Sequence, residues 1–438
     1  MVTKVLKFGG SSLSDGGQFR KVKNIITSQP SRRYIVASAP GKRFPEDEKV
    51  TDMLYDCHAL ASQGKPIDEV FSRIEERFNG IIQDLQLDLS IENQLQHIRN
   101  SIEAGASRDF AASRGEYLNS IILSAYLGFD FIDPKDCIFF DEKAMLDGNK
   151  TYAKTGELLK SHERAVIPGF YGSATDGSIK TFSRGGSDIT GSIIARSVEA
   201  DIYENWTDVS GMLMADPRYV SNPQVIDTIT YSELRELAYM GATVMHDEAI
   251  FPVRQARIPI NIRNTNSPED SGTMIVSYAL SSNRKNVVTG IAGRVGFSTL
   301  YIEKDMMNSE YGFGRRVLEV LENHHLSFEH LPTGIDTMSV IINTNDLNPV
   351  KDSVISSIYE AVQADSVTVE DGMALIAVVG REMVNAKGTA SRIFAAIARN
   401  NVNIKLIDQG SSEMNIIVGV DEKDYTTTLN AIYSEFVK

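Results

Sequence analysis

Shifted against itself by 76 residues without a gap, the last third of this chain repeats. Glu322-Asn323-His324-His325 falls on Ala398-Arg399-Asn400-Asn401, Gly334 on Gly410, and Met338-Ser339-Val340-Ile341-Ile342 on Met414-Asn415-Ile416-Ile417-Val418. Upstream, Arg316-Val317 falls on Arg392-Ile393 and Leu321 on Ile397. Two copies of one pattern must fold alike. Each copy reads strand, helix, strand, strand, helix, with a further strand at Ser366 to Val369 after the first. No acid, base or nucleophile cluster falls in either copy. Duplicated α+β units of this size serve as small-molecule sensors or as dimerisation modules, and the residues leave both open.

The chain begins with Val5-Leu6-Lys7-Phe8-Gly9-Gly10-Ser11-Ser12. Val5, Leu6 and Phe8 read as a short buried strand, and the glycines allow a sharp turn and a close backbone approach. A lysine in an apolar strand is costly unless an anion neutralises it, and loop N–H groups before a helix would supply an anion cradle. A phosphate site is one reading. The other is an edge strand whose lysine reaches solvent before an ordinary turn. Neither a Walker A loop nor a Gly-x-Gly-x-x-Gly fingerprint is present.

Composition narrows the function classes. With 438 residues and 42% apolar content the chain can bury sizeable cores in two or three domains. A formal charge of −14 argues against a nucleic-acid or anionic-membrane surface, so an anionic substrate must be held by a few local cations. Cys57 and Cys137 show no metal spacing and point to a reducing compartment. The opening Met-Val-Thr-Lys carries no charged and apolar leader, and no apolar run reaches spanning length, so a cytoplasmic protein is expected.

Between these ends, strands and helices alternate. Phe19, Val22, Ile25 and Ile26 recur at helical spacing, and Tyr34-Ile35-Val36-Ala37 makes a second strand ending in Ser38-Ala39-Pro40-Gly41-Lys42. Small residues at a strand's carboxyl end are where ligands of open parallel sheets collect. A helical region runs from about Val50 to Leu127 and contains the polar island Ser113-Arg114-Gly115-Glu116-Tyr117-Leu118. Its glycine predicts close approach to a ligand or another helix. Strands follow at Cys137 to Phe140, Ala165 to Pro168 and Ile179 to Phe182, the last entering Ser183-Arg184-Gly185-Gly186-Ser187-Asp188 before a helix. Next come Asp201 to Val209, helices from Tyr231 to about Met240 and past His246 to Ala256, and a strand at Ile258 to Arg263. The approximate domain boundary is expected after the polar turn Asn264 to Gly272. The pattern predicts an α/β sandwich with a largely parallel sheet.

Several of these motifs resemble those of the aspartokinases, members of the amino acid kinase superfamily. Lys7-Phe8-Gly9-Gly10-Ser11-Ser12 is similar to their opening Lys-Phe-Gly-Gly-Thr/Ser-Ser, and Ser183 to Asp188 to their Arg-Gly-Gly-Ser-Asp turn. Trp206-Thr207-Asp208-Val209 and Gly211, continuing to Asp216-Pro217-Arg218, resembles their nucleotide-side loop, and Met240-Gly241-Ala242 with His246 the helix start that follows it. The tandem repeat corresponds to their paired regulatory ACT domains. The resemblance covers essentially the whole chain in order. It implies an amino acid kinase-like three-layer sandwich at 1–280, then two α+β ACT domains of βαββαβ form at 290–370 and 371–438, with no fused homoserine dehydrogenase.

The implied activity is ATP- and Mg²⁺-dependent phosphorylation of the β-carboxylate of L-aspartate, the first step of lysine, threonine and methionine biosynthesis. By resemblance Lys7 and Asp188 are catalytic, and Lys7, Gly9, Gly10, Ser11, Thr207, Asp208 and Arg218 bind the nucleotide. Ser38, Thr51, Glu116 and Arg184 bind aspartate, Glu116 through the ammonium and Arg184 through a carboxylate. Plainer alternatives stand beside these: an ion pair for Lys7, a bridge to Asp188 for Arg184, a solvated face for Glu116, helix caps for Ser38 and Thr51. No dedicated metal cluster is expected. Two departures, Thr243 where the family has lysine and Leu213 where it has an aromatic, leave those contacts out.

In the repeats, resemblance implies feedback by lysine, with threonine as the alternative. The expected effector pocket is Asn308, Ser309, Gly312, Phe313 and Gly314 with Asp336 and Thr337 across an interface of a homodimer or dimer of dimers. A second enzyme of the superfamily, or an amino acid sensor that kept the fold, remain the competing readings.

Overall fold

The computed structural model describes residues 2–183, 185–242, 245, 247–277 and 287–437, and counts below refer to these. Arg184, Thr243, His246 and part of the expected domain boundary lie outside them. The chain folds as two compact bodies. The first comprises Met1–Met212, Val225–Tyr231 and Val244–Leu280, and the second Leu213–Gln224, Ser232–Thr243 and Ser281–Lys438.

In chain order the first stretch gives β1 (Lys4–Phe8), α1 (Gly16–Thr27), β2 (Arg32–Ala37), α2 (Val50–Ser62), α3 (Asp68–Asp84), α4 (Glu92–Glu103), α5 (Arg108–Leu127) and β3 (Asp130–Phe131). Then come α6 (Gly148–Lys160), β4 (Ala165–Pro168), β5 (Tyr171–Ser173), β6 (Ile179–Thr181), α7 (Gly186–Ser197) and β7 (Ile202–Thr207). β8 (Thr228–Thr230), α8 (Tyr231–Tyr239), α9 (Asp247–Gln255), β9 (Ile260–Asn264) and β10 (Thr273–Val276) complete it. An eight-stranded sheet runs β3-β4-β2-β1-β7-β9-β10-β8, parallel except where β10 meets β9.

β1 is central in this sheet, paired in parallel with β2 and β7, so the edge-strand reading of its lysine fails. Its pleat sends alternate side chains to opposite faces. Leu6 and Phe8 enter a core built with α1 to α5, where Phe8 stacks on Trp206 at 5.9 Å. Lys7 points to the other face, on which α7 packs. Helices on both faces make the expected three-layer sandwich.

Three local expectations change. The region 50–127 is four helices, because each hydrophobic stripe ends in a turn of its own. Cys137 to Phe140 is not a strand. α6 and Ser173 share its backbone instead: Thr155 donates to the Cys137 carbonyl, the Phe139 N–H to Thr151 and the Phe140 N–H to the Ser173 carbonyl, leaving isolated bridges at Phe139 and Phe140. β5 and β6 form a separate antiparallel pair.

The second body holds β11 (Gly290–Glu303), α10 (Phe313–Asn323), β12 (Thr337–Asn343), the short α11 (Thr344–Leu347), α12 (Lys351–Val362), β13 (Ser366–Val379), α13 (Thr389–Arg399), β14 (Ile404–Asp408), β15 (Asn415–Asp421) and α14 (Tyr425–Phe436). Its five-stranded sheet runs β12-β11-β13-β15-β14. The repeat is visible in the backbone: α10 and α13 lie 76 residues apart, as do Gly312 and Gly388, which enter those helices at φ 77° and 86°. Gly296 and Gly372, at φ 88° and 85°, occupy equivalent points of β11 and β13. Both strands run on past the repeat unit and pair with each other along their length, so the division expected between 370 and 371 falls inside β13. The excursion at 213–224 is pinned to α14, where the Gln224 N–H donates to the Tyr433 hydroxyl at 2.8 Å and Asn430 to the Tyr219 carbonyl at 2.8 Å.

Candidate active site

Adjacent parallel strands deliver their following residues to one sheet edge. Here β2, β1 and β7 end side by side, and the ladder continues past them: Ser38 donates to the Phe8 carbonyl at 3.1 Å and Gly9 to the Trp206 carbonyl at 3.0 Å. Lys7, Gly9, Gly10, Ser38 and Thr207 therefore converge. The Gly9 N–H is spent on Trp206, so what Gly9 offers a ligand is its missing side chain beside Lys7.

Lys7 is 8% exposed, and its Nζ lies 2.6 Å from Asp188 Oδ1. The pleat explains the meeting. Asn205 is in register with Lys7 on β7, shares its face, and donates to the same Asp188 oxygen at 2.9 Å. Asp188 sits in the first turn of α7, whose entry at Gly185 takes φ 60°. A carboxylate near a helix N-terminus is favoured by the dipole, and here it also neutralises and aims the lysine. The ion pair is real and does not exclude catalysis, because a ligand phosphate can share the ammonium.

Two loops are locked back to back beside it. The Gly41 N–H donates to the Gly10 carbonyl at 2.8 Å, and a Cβ on Gly41 would lie 2.6 Å from Gly10 C, one on Gly10 2.9 Å from the Ala39 carbonyl. Arg77, buried on α3, holds this loop from behind, donating to the Gly41 carbonyl at 3.0 Å and to Asp47 at 2.6 Å. Hydrogen bonds from Arg43, reinforced by Arg77, hold the Asp47 carboxyl well below the usual carboxylate range. Gly41→Ala is expected to cost about 2 kcal/mol or more, because backbone rather than a flexible side chain blocks the new methyl; a thermal melt unchanged from wild type would contradict the packing.

The polar island on α5 supplies the acidic side. Gly115 lets the helix touch the β2 loop, since a Cβ there would meet Ala39 Cβ at 2.8 Å and Val50 Cγ1 at 3.4 Å. Glu116 is 5% exposed, so the solvated-face reading fails, and its Oε2 has no hydrogen-bond partner. Burial pushes its carboxyl up to about 8, against the opposing pull of the Ala39 N–H and Arg114. A buried acid with an unpaired oxygen suits a cationic ligand group. Thr51 lies inside the first turn of α2 after Lys49, whose side chain makes no cap, so neither Thr51 nor Ser38 serves as that helix's cap residue.

The remaining nucleotide candidates are less gathered. Asp208 is exposed after β7 and accepts from Thr207 at 3.2 Å; Ser11 is half-buried, while the neighbouring Ser12 bonds Thr265 at 2.8 Å. Arg218 belongs to the second body, where its guanidinium chelates Asp216.

Residues 2–264 match the amino acid kinase family and residues 376–436 an ACT domain. Aspartokinase 3 of Bacillus subtilis (strain 168) is 41% identical over 450 residues, spanning 99% of this chain and 98% of its own. The chain belongs to the aspartokinases, within the amino acid kinase family. Aspartokinase 1, chloroplastic, of Arabidopsis thaliana is 26% identical across 99% of this chain and 80% of its own. The crystal structure of Clostridium acetobutylicum aspartate kinase superposes with a TM-score of 0.91 at 50% identity, over 100% of this chain and 99% of that one. Escherichia coli aspartokinase III, crystallised with aspartate and ADP, shares the fold at 24% identity and a TM-score of 0.73 over the whole of both chains.

Two supporting residues of this aspartokinase site escaped sequence reasoning. Asn205 carried a usable signal, a polar residue inside an otherwise apolar strand; Arg77 carried none, lying in a helix remote in sequence. In the second body the expected effector turn closes on itself: the Asn308 N–H donates to the Ile335 carbonyl at 3.1 Å, and the Met306 N–H to Asp336 Oδ1 at 2.9 Å. Gly312, Phe313 and Gly314 open α10 beside it, and Ser309 donates to the Met306 carbonyl.

Proposed function

We propose that this aspartokinase transfers the γ-phosphoryl group of ATP to the β-carboxylate of L-aspartate at the edge formed by β2, β1 and β7, giving 4-phospho-L-aspartate. The observation that carries the reading is a buried lysine in the central strand, neutralised by one carboxylate, beside a buried acid with an unpaired oxygen. An aspartate carboxylate is already ionised at neutral pH, so no general base is required. One carboxylate oxygen attacks the γ-phosphorus, the bond to the bridging β,γ-oxygen breaks, and ADP leaves with that electron pair. Lys7 neutralises charge on the transferring group, with Asp188, itself held by Asn205, keeping its ammonium in place. Glu116 takes the substrate ammonium, Ser38 and Thr51 lie where the rest of the amino acid would rest, and Arg184 is assigned a carboxylate. Gly10, Ser11, Thr207 and Asp208 are assigned to the nucleotide.

Mg²⁺ would supply charge neutralisation between phosphate oxygens and needs few protein ligands, because it travels on the nucleotide. Asp188 and Asp208, carboxylates near the strand ends, would be the side chains placed to meet it. Among the described residues no helix is long and apolar enough to cross a membrane.

For regulation, the turn at Asn308 to Gly314 with Asp336 and Thr337 is assigned a feedback amino acid, lysine before threonine. Exposed Tyr311, Met306 and Ile335 around it, 98%, 70% and 69% accessible, suit a homo-oligomeric contact through the repeats. A hydroxamate assay of the purified chain with ATP, Mg²⁺ and L-aspartate, L-glutamate or acetylglutamate tests the reaction. Hydroxamate from aspartate alone is expected; equal product from glutamate indicates another superfamily kinase, and none indicates a sensor. A thermal-shift panel of lysine, threonine, methionine and diaminopimelate identifies the effector, with stabilisation by lysine the expected result and indifference to all four contradicting the assigned pocket.

A further inference from the structure

One turn along α5 from Glu116 sits Asn119, fully buried, whose Nδ2 donates to the Ser38 carbonyl at 2.7 Å. A carbonyl can only accept, so the atom against it must be the amide nitrogen, and the orientation of the side chain is fixed. The other half of the amide is left over: Asn119 Oδ1 is buried with no hydrogen-bond partner. Retaining a buried amide with one end unsatisfied is unfavourable, and a leucine of similar volume would pack there without that cost. The side chain is therefore kept for its single bond.

What that bond holds is one peptide group. The Ser38 carbonyl and the Ala39 N–H belong to the same peptide plane, and α5 holds its oxygen through Asn119 while Gly115 packs against Ala39. Residues three apart on a helix share a face, and Gly115 lets that face come close enough. The next carbonyl, of Ala39, leans on Gly10. The angle of this peptide thus sets where Ser38 and Glu116 stand relative to the phosphate loop.

We propose that Asn119 is a positioning residue for the acceptor amino acid, orienting the Ser38–Ala39 peptide so that Ser38 and Glu116 face a common ligand. The inference rests on the proposed assignment of aspartate to this edge. It acts on the acceptor and leaves the nucleotide alone.

Asn119→Ala removes the donor and Asn119→Asp replaces it at constant shape. Steady-state constants for aspartate and ATP are measured for both between about pH 6.5 and 9. Asn119→Ala is expected to raise the aspartate KM about tenfold or more, with the ATP KM within about twofold of wild type. In Asn119→Asp the carboxylate repels the Ser38 carbonyl, while the protonated acid regains an O–H donor. Its aspartate KM relative to wild type should therefore shrink as pH falls, a rescue that a merely structural role would not produce. Aspartate KM values within about twofold of wild type in both variants, or ATP KM values rising in parallel, overturn the proposal. If Asn119→Ala does not fold, the isosteric variant decides alone. A wild-type chain that shows no thermal shift with L-aspartate and no turnover overturns the assignment of the site and Asn119's role together; an active wild type beside unaffected variants removes only Asn119.

Discussion

Replacing Lys7 by Met or Ala is expected to lower kcat about 10³-fold or more while the protein stays folded. The charge that develops on a transferring phosphoryl group must be met by fixed cations. Lys7 is fixed by three observations: a central strand, 8% exposure and a 2.6 Å contact to Asp188. Its loss leaves Asp188 with Asn205 as a donor and a side chain 17% exposed, so the stability cost should stay below about 3 kcal/mol. Circular dichroism and a thermal melt separate the two effects. Turnover within about tenfold of wild type would show that the pair with Asp188 is structural only.

Glu116→Gln is expected to raise the aspartate KM about 50-fold or more and leave the ATP KM near wild type, because a buried ammonium would lose its counter-charge. The pH dependence follows from burial, which pushes Glu116 up to about 8. The ionised form binds the ammonium, so the wild-type aspartate KM should fall as pH rises toward 8 and level off above it, with a proton released on binding below that point. The stability slope has the opposite sign. The folded chain binds this proton more tightly than the unfolded chain does, so the contribution is fully present below the ordinary 4.5 and is lost as pH rises through about 8. Glu116→Gln should flatten both profiles. Profiles identical to wild type would remove Glu116 from the amino acid.

Much of this is legible in the sequence. Lys7 stood out because an apolar strand cannot hold a lone ammonium, and Gly115 because a helix does not place glycine at a buried face without a contact to accommodate. The 76-residue offset laid one helix on the other through Arg316-Val317 and Arg392-Ile393, and α10 and α13 do start 76 residues apart, after Gly312 and Gly388. Other features had no local signal. β8 and β10 are three and four residues long and exist through pairing with each other and β9. The continuation of β13 past Val369 depends on β11 and β15, and the membership of 213–224 and 232–243 in the second body on contacts far along the chain. Asn119 and Asn205 are ordinary asparagines until the backbone shows which carbonyl and which carboxylate they meet.

The most direct measurement is a crystal structure of the chain with L-aspartate and a non-hydrolysable ATP analogue. The γ-phosphoryl oxygens should lie within hydrogen-bond reach of Lys7 Nζ and the aspartate ammonium within reach of Glu116, both at the carboxyl ends of β2, β1 and β7. A nucleotide bound elsewhere, with Lys7 still engaged only by Asp188 and Glu116 facing no ligand, would contradict the account.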